Sequence, residues 1–232
     1  LATQYLFHEE VVRREDIRVS PLSSFKEAEI ALEMSRRCAS DVVDFAIVDS
    51  ALSRMESRLI VLVVTTSEWQ AIAENWIVFA SKIPGVLNKT LFVTDSWRMC
   101  DTLTDKWKVS CCNPIKDLPP PSYATRHRTV MIVRDSILLR LAAHGRNVIT
   151  TDTDAVWLQD PISDIISLKA DQAWSTEPWY TIERFPGWPK LAPCLGFGLV
   201  RSTLGSLRLM TRALREITRT SWPGDTQPFF DA

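Results

Sequence analysis

The chain of 232 residues lacks several features that would place it in a common class of protein. It has no cluster of basic residues, and its net charge of −1 argues against non-specific binding of nucleic acid. It also has no apolar run of about 18 residues, and its nearest approach, Leu59–Val64, has only the length of a strand. We therefore expect no nucleic-acid partner and no membrane-spanning segment within this chain.

Cysteines are few and are not arranged as in a structural zinc site. None of the five forms a C-x-x-C pair, and two of them are adjacent, which suits zinc poorly. Disulfides would fit a luminal protein, but the sequence leaves their pairing open. The cysteines are Cys38, Cys100, Cys111, Cys112 and Cys194. Asn88-Lys89-Thr90 is an N-glycosylation sequon, which matters only for a secretory protein, and a single such triplet is unremarkable by chance.

The most informative stretch is Asn147–Pro161, which contains a strand followed by two aspartates. Its β-branched run Val148–Thr151 predicts a buried strand. Asp152 and Asp154 follow it, and residues two apart in an extended segment point the same way. Neighbouring carboxylates repel each other unless a cation lies between them, and carboxylates favour Mg²⁺ or Mn²⁺. We expect a divalent metal site at this strand end; a turn with solvated side chains is the alternative.

Strands and helices alternate along most of the chain, which predicts an α/β fold with parallel βαβ units and right-handed crossovers. Apolar or β-branched runs predict strands at 42–48, 59–64, 91–94, 107–111, 148–151, 170–175 and 195–200. Helical spacing predicts helices at 25–37, 68–81, 97–104, 130–144, 162–168 and 203–219. Gly145 is the expected C′ residue of the fourth helix.

The run Val148–Pro161, Val-Ile-Thr-Thr-Asp-Thr-Asp-Ala-Val-Trp-Leu-Gln-Asp-Pro, resembles the signature of the nucleotide-diphospho-sugar transferases. The resemblance is to the group around glycosyltransferase family 77. It implies a GT-A type domain at 58–232, a Rossmann-like mixed sheet with helices on both faces. Residues 1–57 would be a lead-in or an extra layer. It also implies metal-dependent, retaining transfer from a nucleotide-diphosphate sugar, with a UDP-sugar as the expected donor, to a glycan or glycoprotein hydroxyl.

The resemblance further implies a cellular setting and roles for particular residues. The setting would be the Golgi lumen, with a type II membrane anchor that this chain lacks. The chain begins with Leu rather than Met, which is typical of a fragment. Asp152 and Asp154 would hold Mn²⁺ or Mg²⁺ on the donor diphosphate. Arg134 stands where the family more often has Lys and would contact the nucleotide or diphosphate; its alternative is a helix-surface arginine.

Three further residues are candidate contacts to the donor nucleotide. Thr65 and Thr66 follow the first strand of the transferase domain, and Asp95 follows the second. Helix capping is the alternative for each of them, and the pattern slightly favours it. Gly196 lies in a Gly-Phe strand like that of the family and permits close approach of a sugar, although Cys194 replaces an asparagine that the family often has.

The reaction centre and the acceptor region are expected towards the C-terminus. Asp225 and Gln227 resemble the family's Asp-Gln pair with one residue inserted, and they are the candidate catalytic residues. The aromatic, proline-rich stretch Trp174–Trp188 would contact the acceptor, because sugar rings stack on indoles; tryptophan also packs in cores. Asp160 is expected to be structural, in a turn before Pro161.

Two other functions agree with parts of the sequence. Haloacid-dehalogenase-like phosphatases also carry Asp-x-Asp at a strand end with Mg²⁺, the first aspartate being the nucleophile. Asp225 and Asp231 are similar to their distal acidic motif, but residues 219–223 do not form the apolar strand that should precede it. A non-catalytic homologue of the transferases that binds glycan or nucleotide is the third interpretation.

Overall fold

In the computed structural model, which describes residues 21–116, 118, 123–177 and 192–219, six strands form one mixed sheet. The strands are β1 (Leu59–Val64), β2 (Thr90–Val93), β3 (Ser110–Cys112), β4 (Asn147–Thr151), β5 (Gln172–Glu177) and β6 (Ala192–Val200). Their order across the sheet is β3-β2-β1-β4-β6-β5. The first four are parallel, whereas β6 is antiparallel to both β4 and β5. The mixed GT-A type sheet expected from the sequence is confirmed.

Helices cover both faces of the sheet. They are α1 (Pro21–Ala39), α2 (Phe45–Ser53), α3 (Gln70–Ala80), α4 (Trp97–Trp107), α5 (Tyr123–Ala143), α6 (Ile162–Ser167) and α7 (Leu204–Arg219). Ile60 and Leu62 of β1 pack in the core under α1, α2, α5 and α7, whereas Val61 and Val63 pack under α3, α4 and α6. Both faces of β1 are therefore buried, which explains its unbroken apolar run.

Two strand predictions were wrong in position or type. Residues predicted as a strand at 42–48 contain the start of α2, and only Val43 makes an isolated bridge to Ile115. The helix forms because the Asp44 side chain accepts a hydrogen bond from the Ala46 N–H at 3.0 Å and caps it. The strand predicted at 107–111 begins only at Ser110, since α4 continues to Trp107.

A disulfide joins Cys100 of α4 to Cys111 of β3, a pairing that the sequence left open. Neighbouring residues of a strand point to opposite faces of the sheet. Cys111 faces the core that contains α4, whereas Cys112 is buried in the core on the other face. The alternation of β3 thus determines which of the two adjacent cysteines can reach Cys100.

The turn between α5 and β4 sets the direction in which the aspartate-bearing strand leaves. Gly145 has a φ of 80°, its N–H donates to Ala142 O at 3.0 Å, and the Arg146 N–H donates to Leu141 O at 3.1 Å. These two bonds form a Schellman motif, so the predicted C′ role of Gly145 is confirmed. Among the described residues, no helix has the length and apolar character needed to cross a membrane.

Candidate active site

Most of the candidate site residues lie at one edge of the sheet. β1, β2 and β4 are parallel, so the residues that follow them, Thr65, Asp95 and Asp152, lie at the same edge. Gly196 joins them because β6 runs the opposite way and pairs with the end of β4. α5 begins at this edge and ends at the other, where it turns into β4. Asp225 and Gln227, the candidate catalytic residues, lie outside the described residues.

The Asp-Thr-Asp run is a turn rather than the extended segment assumed from the sequence. β4 ends at Thr151, and the Ala155 N–H then donates to Asp152 O at 3.1 Å. Thr153 is buried, Asp152 is half-buried and Asp154 is exposed. The periodicity of a strand, which would have pointed both carboxylates the same way, therefore does not apply to this turn. Within the described ranges, no group of three or more His, Cys, Asp or Glu residues could hold a metal ion.

The loop after the two aspartates is anchored by an aromatic cluster. The Trp157 ring is buried and makes edge contacts with Trp76 and Phe197 at centroid distances of 5.4 and 5.8 Å. Its Nε1–H donates to Thr151 Oγ1 at 3.3 Å. Asp160 Oδ1 accepts a hydrogen bond from the Ile162 N–H at 2.8 Å, which confirms its structural role. The apolar half of the signature thus fixes where the chain leaves the aspartate turn.

Asp152 is held from both sides. The Arg134 Nη1 lies 3.9 Å from Asp152 Oδ1, and the Asp152 N–H donates to Gly196 O at 2.7 Å. A Cβ on residue 196 would lie 2.8 Å from Asp152 Oδ2. The sequence suggested that Gly196 makes room for a sugar; in the structure, the absence of its side chain makes room for the Asp152 carboxylate.

The electrostatic surroundings of Asp152 are mixed. Burial raises the pKa of its carboxyl group; Arg134 opposes this change, and the neighbouring Asp154 adds to it. His127 also lowers and Asp135 also raises the pKa of Asp152, by smaller amounts. The two signature aspartates are therefore close enough to repel each other, and a bound cation would stabilise both in their ionised form.

Arg134 is not the helix-surface residue that the alternative interpretation described. Its side chain is only 4% exposed, and its Nε–H donates to Asp135 Oδ1 at 3.1 Å. His127 lies seven residues earlier on α5, on the same face of the helix, and is close enough to affect the Asp152 pKa. Sequence reasoning missed His127, although its spacing from Arg134 is a detectable signal.

A second polar cluster lies at the ends of β1 and β2. Asp95 Oδ1 accepts a hydrogen bond from the Ser67 N–H at 2.7 Å, and Asp95 Oδ2 lies 3.4 Å from an Arg126 Nη2. Arg126 also pairs with Glu68 at 3.0 Å, a contact that the sequence did not suggest. Asp95 thus accepts from the first residue of the turn Ser67–Trp69, whereas the helix that follows Asp95, α4, is capped by Ser96.

The two threonines at the end of β1 are buried beside this cluster. Thr65 and Thr66 are 5% and 6% exposed, and the Thr65 N–H donates to Val93 O at 2.9 Å. The Thr66 side chain makes no capping hydrogen bond to the 3₁₀ turn that follows. The capping alternative is therefore wrong for Thr66.

Arg201 and Trp174 have structural roles. Arg201 donates to the carbonyl oxygens of Ile166, Leu168 and Ala170 at 2.5 to 2.9 Å, which fixes the segment between α6 and β5. Trp174 lies in β5 rather than in an acceptor loop, and its ring occupies the space beside Gly198. The remainder of the proposed acceptor stretch, 178–188, lies outside the described residues.

Comparison with known families agrees with this geometry. The sequence profile of the nucleotide-diphospho-sugar transferases matches residues 98–231, a region that includes Arg134, both aspartates of the turn and Gly196. No curated protein matches the chain. Because the profile match covers more than half of the chain, the protein belongs to the nucleotide-diphospho-sugar transferase family.

Proposed function

We propose that this protein transfers a sugar from a nucleotide-diphosphate sugar, with a UDP-sugar as the expected donor, to a hydroxyl of a glycan or glycoprotein. The single observation that carries the proposal is the aspartate turn after β4, seated against Arg134 in a chain of this family. The turn lies at the carboxyl end of a central strand, where α/β sheets bind ligands.

The residues present fit a hard divalent cation. Asp152 and Asp154 supply only carboxylate oxygens, the donor type that Mg²⁺ and Mn²⁺ accept. Burial and the charge of Asp154 both raise the pKa of Asp152, so a cation held by the pair would lower the free energy of their ionised state. When bound, the metal would neutralise charge that develops on the leaving diphosphate.

The chain's own residues would bind and orient the donor. α5 directs its N-terminus and the side chains of Arg126 and His127 towards the site edge, so its positive end favours the anionic diphosphate. The buried Arg134 side chain would hold the Asp152 carboxylate in position. We propose that Thr65, Thr66 and Asp95, which follow β1 and β2 at the same edge of the sheet, contact the base and ribose.

In the transfer itself, the bond from the anomeric carbon to the diphosphate oxygen breaks, a bond to the acceptor oxygen forms, and the departing diphosphate takes up the hydroxyl proton. Asp225 and Gln227 are our candidates beside the anomeric carbon, and we propose that configuration is retained. A luminal, Golgi-type setting completes the proposal. The Cys100–Cys111 disulfide supports an oxidising compartment. The family match favours this function over a phosphatase.

A donor-hydrolysis and transfer assay tests the proposal. The purified chain would be incubated with UDP- and GDP-sugars, Mn²⁺ and glycan acceptors, and release of the nucleoside diphosphate would be followed. We expect metal-dependent release that falls at least about 100-fold in Asp152→Asn, because loss of a transition-state charge contact costs about 3 kcal/mol. Asp101→Asn, which removes an exposed carboxylate on α4, is the control. Unchanged activity in Asp152→Asn would contradict the mechanism.

A further inference from the structure

Asn88 is an exposed asparagine at the edge of the sheet opposite the candidate active site. It lies in the short 3₁₀ turn Leu87–Lys89, immediately before β2 begins at Thr90. β2 is parallel to β1 and β4, so its start and the aspartate turn lie at opposite edges of the sheet. A large group attached to Asn88 would therefore not enter the site.

Two independent features indicate what would be attached there. Asn88-Lys89-Thr90 satisfies the acceptor sequon, with no proline in the middle. The Cys100–Cys111 disulfide indicates folding in an oxidising compartment, which is where such sequons are modified. We propose that Asn88 carries an N-linked glycan; this inference rests on the luminal setting of the proposed function but not on transferase activity.

The modification would be a glycosyl transfer by a separate enzyme. The Asn88 amide nitrogen forms a bond to the anomeric carbon of an oligosaccharide carried on a lipid diphosphate. The bond between that carbon and the diphosphate oxygen breaks, the lipid diphosphate leaves, and the amide nitrogen loses one proton. The compartment supplies the lipid-linked oligosaccharide and the enzyme, the lost proton passes to the solvent, and no oxidant or reductant is required.

The structure also determines when the modification can occur. The Thr90 side chain is fully buried, and its Oγ1–H donates to Val86 O at 2.9 Å. β2 itself is paired on both sides, with β1 and β3. An enzyme that must read the hydroxyl of the third sequon residue has no access to it in the folded domain. The glycan must therefore be added before β2 joins the sheet.

The direct test uses the chain purified from the cells that make it. Treatment with a peptide N-glycosidase in H₂¹⁸O converts a glycosylated asparagine to ¹⁸O-labelled aspartate, which mass spectrometry detects. We expect the label at Asn88. A peptide that contains only unmodified Asn88 would overturn the proposal and would leave Thr90 as a purely structural threonine.

Variants secreted from eukaryotic cells distinguish loss of the sequon from a general effect of replacing an exposed asparagine. Asn88→Gln should lose the glycosidase-sensitive mobility shift, whereas Thr90→Ser should keep it, because the hydroxyl remains. Asn75→Gln removes an exposed asparagine of α3 that is outside any sequon, and it should behave as wild type. A shift that persists in Asn88→Gln would contradict the proposal.

Timing is tested with chain produced without a glycan. Folded, disulfide-bonded chain should not be modified by microsomes that supply the lipid-linked oligosaccharide, whereas the reduced, unfolded chain should be. Modification of both forms at equal rates would refute the predicted order of events. Nucleotide binding measured on glycosylated chain and on Asn88→Gln distinguishes failure of the transferase proposal from failure of this one.

Discussion

At the residue scale, the position of Asp152 depends on a neighbour that has no side chain. The Gly196 carbonyl oxygen accepts a hydrogen bond from the Asp152 N–H, and the missing side chain leaves room for Asp152 Oδ2. Arg134 lies near the other carboxylate oxygen, Oδ1. Because interiors are close-packed, filling such a space displaces the nearest movable group. Gly196 therefore acts on the proposed metal site through the position of Asp152.

Gly196→Ala tests this coupling. Its Cβ would lie 2.8 Å from Asp152 Oδ2, so the carboxylate must move away from the position that Arg134 and the turn define. We expect the Kd for UDP in the presence of Mn²⁺ to rise about tenfold, which corresponds to about 1.4 kcal/mol. Isothermal calorimetry measures it.

Gly205→Ala is the matched control. Its Cβ would meet an aspartate oxygen at 2.3 Å, but that oxygen belongs to Asp171, beside the start of α7. We expect Gly205→Ala to lose about as much stability as Gly196→Ala does, but to keep its affinity for UDP. Equal loss of affinity in both variants would show that packing strain, not the position of Asp152, is responsible.

The ionisation of Asp152 makes a second prediction at this scale. Burial raises the pKa of Asp152 above its ordinary value of 3.8, so ionisation disfavours the folded state of the metal-free chain. Well below pH 3.8 the group is protonated in both states and contributes nothing. As the pH rises from there through the raised pKa, the penalty grows, and above it the penalty is constant.

Asp152→Asn should therefore stabilise the metal-free chain at pH 7, by less than about 1 kcal/mol because the side chain is half-exposed and screened. The gain should vanish in acid, in the range where wild-type Asp152 is protonated. Denaturant melts at a series of pH values measure this difference. A variant less stable than wild type at pH 7 would show that the contact with Arg134 outweighs the cost of burial.

At the element scale, the Cys100–Cys111 disulfide ties α4 to the edge strand β3. β3 has only three residues and pairs with β2 alone among the described strands. A cross-link over a sequence separation of 11 restricts the unfolded chain and stabilises the fold by about 3 kcal/mol in the chain-entropy account. The disulfide thus compensates for the short length of β3, the outermost strand on its side of the sheet.

Replacement of both Cys100 and Cys111 by serine should lower the free energy of unfolding by about 2 to 4 kcal/mol. Dithiothreitol should lower the Tm of wild type towards that of the double variant and leave the variant's own Tm unchanged. Cys38→Ser removes a thiol that is not disulfide-bonded, and its Tm should stay sensitive to dithiothreitol. Insensitivity of wild type to the reductant would contradict the assigned pairing.

At the scale of the whole molecule, most of the fold could be predicted because the central strands β1, β2 and β4 bury both faces. Continuous apolar runs at Leu59–Val64 and β-branched residues before Asp152 identify such strands directly. The secondary structure before β1 was harder to predict, since the short helix Phe45–Ser53 carries an apolar run that also suits a strand. There the deciding feature was the cap at Asp44, a local hydrogen bond that hydrophobic pattern does not reveal.

The site was predictable in its location but not in its arrangement. The signature identified Asp152 and Asp154 and placed them at a strand end, but the turn between them depends on burial of Thr153 and on the anchor Trp157. The burial of Arg134 beside Asp152 is a tertiary contact between α5 and the end of β4. Sequence spacing alone could not distinguish it from a surface arginine.

The most direct test of the central claim is calorimetric binding of UDP and GDP with and without Mn²⁺. It would be made on wild type, on Asp154→Ala, and on Asp101→Ala as the surface control. We predict that UDP binds in the presence of Mn²⁺, that omitting the metal weakens binding at least about tenfold, and that Asp154→Ala has the same effect. Binding that needs no metal, or that Asp154→Ala retains in full, would contradict the assignment of the aspartate turn as the metal and diphosphate site.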